Sequence, residues 1–149
     1  MTLEDFEERL DAVLADVDRT LEARWGGRWP LHPSRPVAGE AANPRYDGLF
    51  RVTASFTAGF GSAKGPGYLF RVETATLDDV PPDEREAIED EAAALLRKGL
   101  AAAFPGRDLR VERDGGPYKI TGDLSLGPRS PGGDGGAVSP SPRAPRSVP

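Results

Sequence analysis

Apolar residues recur at every second position along one stretch of the chain: Phe50, Val52, Ala54, Phe56, Ala58 and Phe60, with Arg51, Thr53, Ser55 and Thr57 between them. After the glycine-rich run Gly61-Ser-Ala-Lys-Gly65-Pro-Gly67, the alternation resumes at Tyr68, Phe70 and Val72. A period of two sends alternate side chains to opposite faces of a strand. The pattern predicts a β-hairpin over about residues 49–60 and 67–77, with one buried face, one wet face and a flexible tip.

Elsewhere the period changes. Leu3, Phe6, Leu10, Val13, Leu14, Val17 and Leu21 recur at spacings of three and four, the stripe of an amphipathic helix over residues 2–24. Thr2 with Asp5 three residues on resembles a capping box, and Gly26-Gly27 ends the helix. A second helix begins after Pro81-Pro82, since proline suits a first turn. Its stripe is Ile88, Ala92, Leu95, Leu96, Gly99 and Ala103, and Phe104-Pro105-Gly106 stops it. Alternation then returns at Leu109 and Val111. A turn at Asp114-Gly-Gly-Pro117 follows, and then Tyr118, Ile120, Leu124 and Leu126, with Gly122 in phase. The order is helix, hairpin, helix, hairpin. The fold class expected is α+β: a two-layer sandwich in the order αββαββ, with four antiparallel strands in one sheet and two helices on one face. Leu21-Glu-Ala-Arg-Trp-Gly-Gly-Arg28 echoes Leu100-Ala-Ala-Ala-Phe-Pro-Gly-Arg107, a match that hints at a duplicated unit.

Two segments escape either period. Residues 25–47 contain four prolines, which exclude helix and central strand. Two tryptophans and a tyrosine in this segment suggest that it packs on the domain. From 127 to 149 the chain is rich in Pro, Gly and Ser, with almost nothing to bury, and is expected to be disordered. The domain is therefore expected to span residues 1–126.

Composition narrows the classes. With no cysteine, disulfides and thiolate sites are excluded. The N-terminus lacks a signal-peptide pattern and no apolar run approaches a membrane span, so a cytoplasmic protein without a membrane partner is expected. The net charge of −5 comes mostly from residues 1–24 and 78–103, around a mildly basic centre. Overall acidity argues against nucleic-acid binding.

Candidate chemistry is sparse. The tip carries Gly59, Gly61, Lys64, Gly65 and Gly67, a composition that could cradle phosphate, yet no Walker-type spacing and no following helix accompany it. His32 has no partner pattern for a metal site or a triad. Glu84, Glu86, Glu89, Asp90 and Glu91 crowd the polar side of the second helix and read as a solvated face. The open sheet face collects Arg51, Thr53, Ser55, Thr57, Arg71, Glu73, Arg110, Glu112, Lys119 and Thr121, a mixture suited to polar recognition. From these residues we expect no catalytic set and no cofactor. The function expected is a non-catalytic binding or protein-interaction module working through the polar face, chiefly Arg51, Thr53, Ser55, Arg71 and Lys119, or through a sheet edge. Its partner would be another protein or a second copy. The alternative is a small-ligand or nucleotide-binding protein using the tip at 59–67.

Overall fold

The computed structural model describes residues 1–124. Its elements follow the expected order: helix α1 (Leu3–Trp25), strands β1 (Phe50–Thr57) and β2 (Gly67–Thr74), helix α2 (Pro82–Ala103), and strands β3 (Leu109–Arg113) and β4 (Tyr118–Gly122). Residues 8–124 form one compact body. In the first turn of α1 the capping box is closed reciprocally: the Thr2 amide donates to Asp5 Oδ2 at 3.1 Å and the Asp5 amide to Thr2 Oγ1 at 3.0 Å.

The four strands make one antiparallel sheet in the order β1-β2-β4-β3, which leaves β1 and β3 as its edges. Tyr68 of β2 lies opposite Ile120 of β4, and Val111 of β3 opposite Ile120 from the other side. The architecture is thus the two-layer α+β arrangement that the alternation implies. Val13, Leu14, Val17 and Leu21 of α1 and Ile88, Ala92, Leu96 and Leu100 of α2 are buried, as are Val52, Phe70, Val111 and Ile120 of the sheet. The helices approach closely at Gly99, where a Cβ would come within 2.6 Å of Val13 Cγ1. Solvent enters beside this crossing in a groove of about 600 Å³.

Three strand ends differ from the pattern. β1 stops at Thr57 although alternation continues to Phe60. Phe56 is 61% exposed and Phe60 96% exposed, so the apolar phase outruns the core. β2 likewise ends at Thr74, and β4 ends at Gly122 although Leu124 keeps the phase. Gly122 has φ +107°, and a Cβ there would collide with the Asp108 carbonyl, so the strand breaks at a residue only glycine can supply. Leu126 and the segment 127–149 lie outside the described residues.

Gly67, at the start of β2, shows how tightly the two hairpins join. A Cβ there would strike the carbonyl oxygen of Ile120, a backbone atom that cannot turn aside. Gly67→Ala is therefore expected to destabilise the protein by about 1–3 kcal/mol in urea unfolding, the usual cost of overpacking. Gly27→Ala, where nothing lies within 4 Å, is expected to leave the midpoint near its starting value.

Candidate functional site

The segment 25–47 is ordered by specific bonds. Trp25 and Trp29 stack with centroids 6.4 Å apart, and the Arg28 guanidinium lies 4.8 Å from the Trp25 centroid. Trp25 Nε1 donates to Glu91 of α2 at 3.1 Å, and Arg28 pairs with Glu84 at 3.3 Å. The acids of α2 are thus not merely solvated. Glu84 and Glu91 anchor this segment, while Glu89 and Asp90 both pair with Arg113 of β3 at 3.1 Å. His32 is a turn residue: its Nδ1 accepts the Ser34 amide at 3.0 Å.

Arg35 organises the rest of the segment. Its Nε donates to the carbonyl of Gly48 at 3.0 Å, and its Nη2 to those of Arg45, Asp47 and Phe50 at 2.6, 3.1 and 2.7 Å. Asp47, 3% exposed, receives the amides of Gly39 and Ala41 on Oδ2 at 2.9 and 2.8 Å. Asn43 caps a single 3-10 turn, Pro44–Tyr46. Glu22 of α1 reaches in from the other side and accepts the Leu49 amide on Oε1 at 2.8 Å.

Between α1 and this segment lies a cavity of about 360 Å³. Three carboxylates line it, Asp18, Glu22 and Asp47, together with Ala38, Ala41 and Ala42. Asp18 is 2% exposed and its Oδ2 has no hydrogen-bond partner among the described residues. Burial, and next the charge of Glu22, push the Asp18 carboxyl up to about 7, with Asp47 adding to the rise. Arg35 and the Val52 amide oppose this. A buried acid so perturbed, at a cleft, is the strongest site signal in the molecule. Asp18 is not among the residues that motif or composition singles out. It follows Leu14 by four residues and precedes Leu21 by three, so it sits in phase with the buried stripe, and a polar residue in that phase was the available signal.

The residues expected at the glycine-rich tip come together differently. Gly59 (φ +82°) packs against the backbone of Gly65 and Pro66. Lys64 pairs with Glu112 at 3.2 Å. Lys119, expected on the open face in contact with solvent, is instead 1% exposed beneath the tip. Its ammonium donates to the Gly65 carbonyl, to Ser62 Oγ at 3.2 Å and to Asp114 Oδ2 at 3.1 Å. The Ser62 hydroxyl donates to Asp114 Oδ2 at 2.6 Å. The Ser62 bond first, then the Lys119 bond, holds Asp114 below the usual carboxylate range. Ser62, Lys119 and Asp114 therefore latch the tip onto the second hairpin, and Gly61 remains at its exposed end. Lys119 has the expected face parity, but the tip folds over that corner of the sheet and buries it. Arg51, Ser55 and Arg71 stay exposed and Thr53 half-buried, with Arg51 3.9 Å from Glu73.

The Asp18 shift has a pH consequence. The folded protein holds the Asp18 proton up to about pH 7, whereas the ordinary value is 3.8. The stability gained from that proton is present at acid pH and lost as pH rises through about 7. Asp18→Asn cannot ionise, so it is expected to raise Tm over the parent more at about pH 8 than at about pH 5, compared by paired thermal melts. An equal Tm difference at both pH values would contradict the shift.

A family described as "Uncharacterised protein" has a model that matches residues 1–122. A protein of Borreliella burgdorferi described as "Uncharacterized protein" is 42% identical over 118 residues, which is 79% of this chain and 92% of that protein. No solved structure matches. Arg35, Asp18, Glu22, Asp47 and the Lys119 latch all lie within the matched residues, and the chain belongs to the family whose model spans 1–122.

Proposed function

We propose that this protein is a non-catalytic interaction module whose contact surface is the uncapped half of edge strand β1. The observation that carries this reading is how the two halves of that edge are treated. Leu49 bonds toward the β2 side through Ala75, so the backbone groups facing away from the sheet belong to Phe50, Val52, Ala54 and Phe56. Arg35 takes the Phe50 carbonyl and Asp18 the Val52 amide. Among the described residues no strand pairs with Ala54 and Phe56 on that side.

Free edges invite pairing with other chains, and proteins usually blunt them with charge, proline or a bulge. Here no charged residue stands between Arg51 and Lys64, and no proline does either. Phe56 packs edge-to-face on Tyr68 at 5.6 Å yet stays 61% exposed, with Phe60 at 96% nearby. An extended, uncharged strand with an aromatic side chain is what such an edge accepts, by strand addition. The strand itself meets that description, so the partner it fits is a second copy: antiparallel pairing about Phe56 sets Phe56 against its counterpart and Ser55 against Thr57, with no like charges opposed. Arg51, Thr53 and Ser55, the alternate side chains of the same strand, then border the contact on the polar face.

Light scattering over a concentration series of the full chain tests this. The expected result is a concentration-dependent dimer that Ala54→Pro removes, because proline deletes the outward donor while edge strands tolerate it. Retained Tm would show that the variant is folded, and Phe56→Lys should weaken the dimer likewise. A monomer at every concentration, or a dimer untouched by both substitutions, would overturn the reading.

A further inference from the structure

The cavity beside α1 is built of groups that ask for a positive hydrogen-bond donor. Two of its carboxylates are held in place by backbone amides, Asp47 by Gly39 and Ala41 and Glu22 by Leu49, so both are fixed as acceptors before anything enters. The third, Asp18, is 2% exposed and has an oxygen without a partner. A buried polar atom in that condition costs free energy until something donates to it. Ala38, Ala41 and Ala42 add a small apolar wall. We propose that this cavity binds a small organic ammonium ion, its N–H groups donating to the Asp18 carboxylate and its alkyl body lying against the alanines.

The surroundings discriminate among cations. Among the described residues no three Asp, Glu or His side chains converge as metal ligands do, so the arrangement is not that of a divalent-ion site. About 360 Å³ lies in the range of pockets that take small organic molecules and is far more than one desolvated ion fills. The groups facing Asp18 come from both walls: Glu22 and Arg19 on α1, Asp47 and Arg35 on the covering segment, with the Asp11–Arg45 ion pair at 3.2 Å on the far side. The donors of Arg35 are taken up by four carbonyls, and Arg19 is paired with Asp16 at 3.2 Å. With Asp18 ionised, three carboxylates stand against these two arginines, so an entering ammonium meets more negative than positive charge. It should bind better as pH rises through about 7, where Asp18 ionises against its buried surroundings.

The test is a titration of the ¹⁵N-labelled full chain with butylammonium chloride, against sodium chloride and tetramethylammonium chloride at equal ionic strength. Expected are saturable shifts at the amides of Gly39, Ala41, Leu49 and Val52, with affinity increasing as pH rises. Tetramethylammonium, which has no N–H to donate, should give none. Asp18→Asn, which keeps the shape and an oxygen for the Val52 amide, should bind about tenfold more weakly or worse and lose the pH dependence. Ala42→Phe, at the exposed rim, should block binding without altering charge. No saturable shift at alkaline pH would overturn the proposal. So would equal shifts with tetramethylammonium, or undiminished binding by Asp18→Asn. None of these outcomes bears on the β1 edge, which the mass measurement tests separately.

Discussion

Arg35 donates to four backbone carbonyls, those of Arg45, Asp47, Gly48 and Phe50. A segment broken by prolines cannot pair its own backbone groups in a ladder, and burying them unpaired would be costly. The planar guanidinium fork answers that need from one point, in a way the single ammonium of lysine could not. With the carbonyls fixed, the side chain of Asp47 is placed to collect the amides of Gly39 and Ala41. Gly48, at φ +70°, leaves room for the Glu22 carboxylate to reach Leu49. The segment becomes a wall, and α1 supplies the opposite one. Asp18 is the residue this arrangement encloses, with one oxygen bonded to the edge of β1 and the other to nothing described.

The same construction divides β1. Its first half is closed off by Arg35 and Asp18, which meet the outward groups of Phe50 and Val52. Its second half runs past the wall, and its apolar phase runs past the core, so Phe56 is left with Tyr68 on one side and solvent on the other. At the far end of the hairpin the buried ammonium of Lys119 closes the tip over β4, satisfied by three oxygens. A buried charge is tolerated only when so surrounded. The tip's backbone and its Lys64 are engaged with the second hairpin rather than held out to a ligand. Two carboxylates, Glu112 and Asp114, stand where a phosphate would need cations.

Much of this was legible in the chain. The alternation at Phe50, Val52, Phe70 and Ile120 and the stripe from Leu10 to Leu21 specify the elements and their order, because burial on one face imposes the period directly. The aromatic residues at 25 and 29 foretold that the long connection packs down. What could not be read were effects that join residues distant in sequence. Lys119 has the right parity for the open face, but its burial depends on a tip more than fifty residues earlier folding back on it. The strand end at Gly122 depends on a single left-handed glycine beside the Asp108 carbonyl, and the one at Thr57 falls where the apolar phase, at Phe56 and Phe60, has already left the core. Asp18 stands in a stripe position among leucines, and its meaning comes only from Val52, Glu22 and Asp47 meeting it in space.

The Arg35-centred wall is as firmly made as the core, so that the cavity and the capped half of β1 exist before any partner arrives. Native-state amide hydrogen exchange on the full chain measures this most directly, because protection reports the free energy of the opening that exposes each amide. The amides of Gly39, Ala41, Gly48 and Leu49, bonded to Asp47, Asp47, Pro36 and Glu22, are expected to exchange as slowly as Tyr68 and Ile120, paired between the two central strands. Rapid exchange at those four amides, with the sheet still protected, would contradict the account.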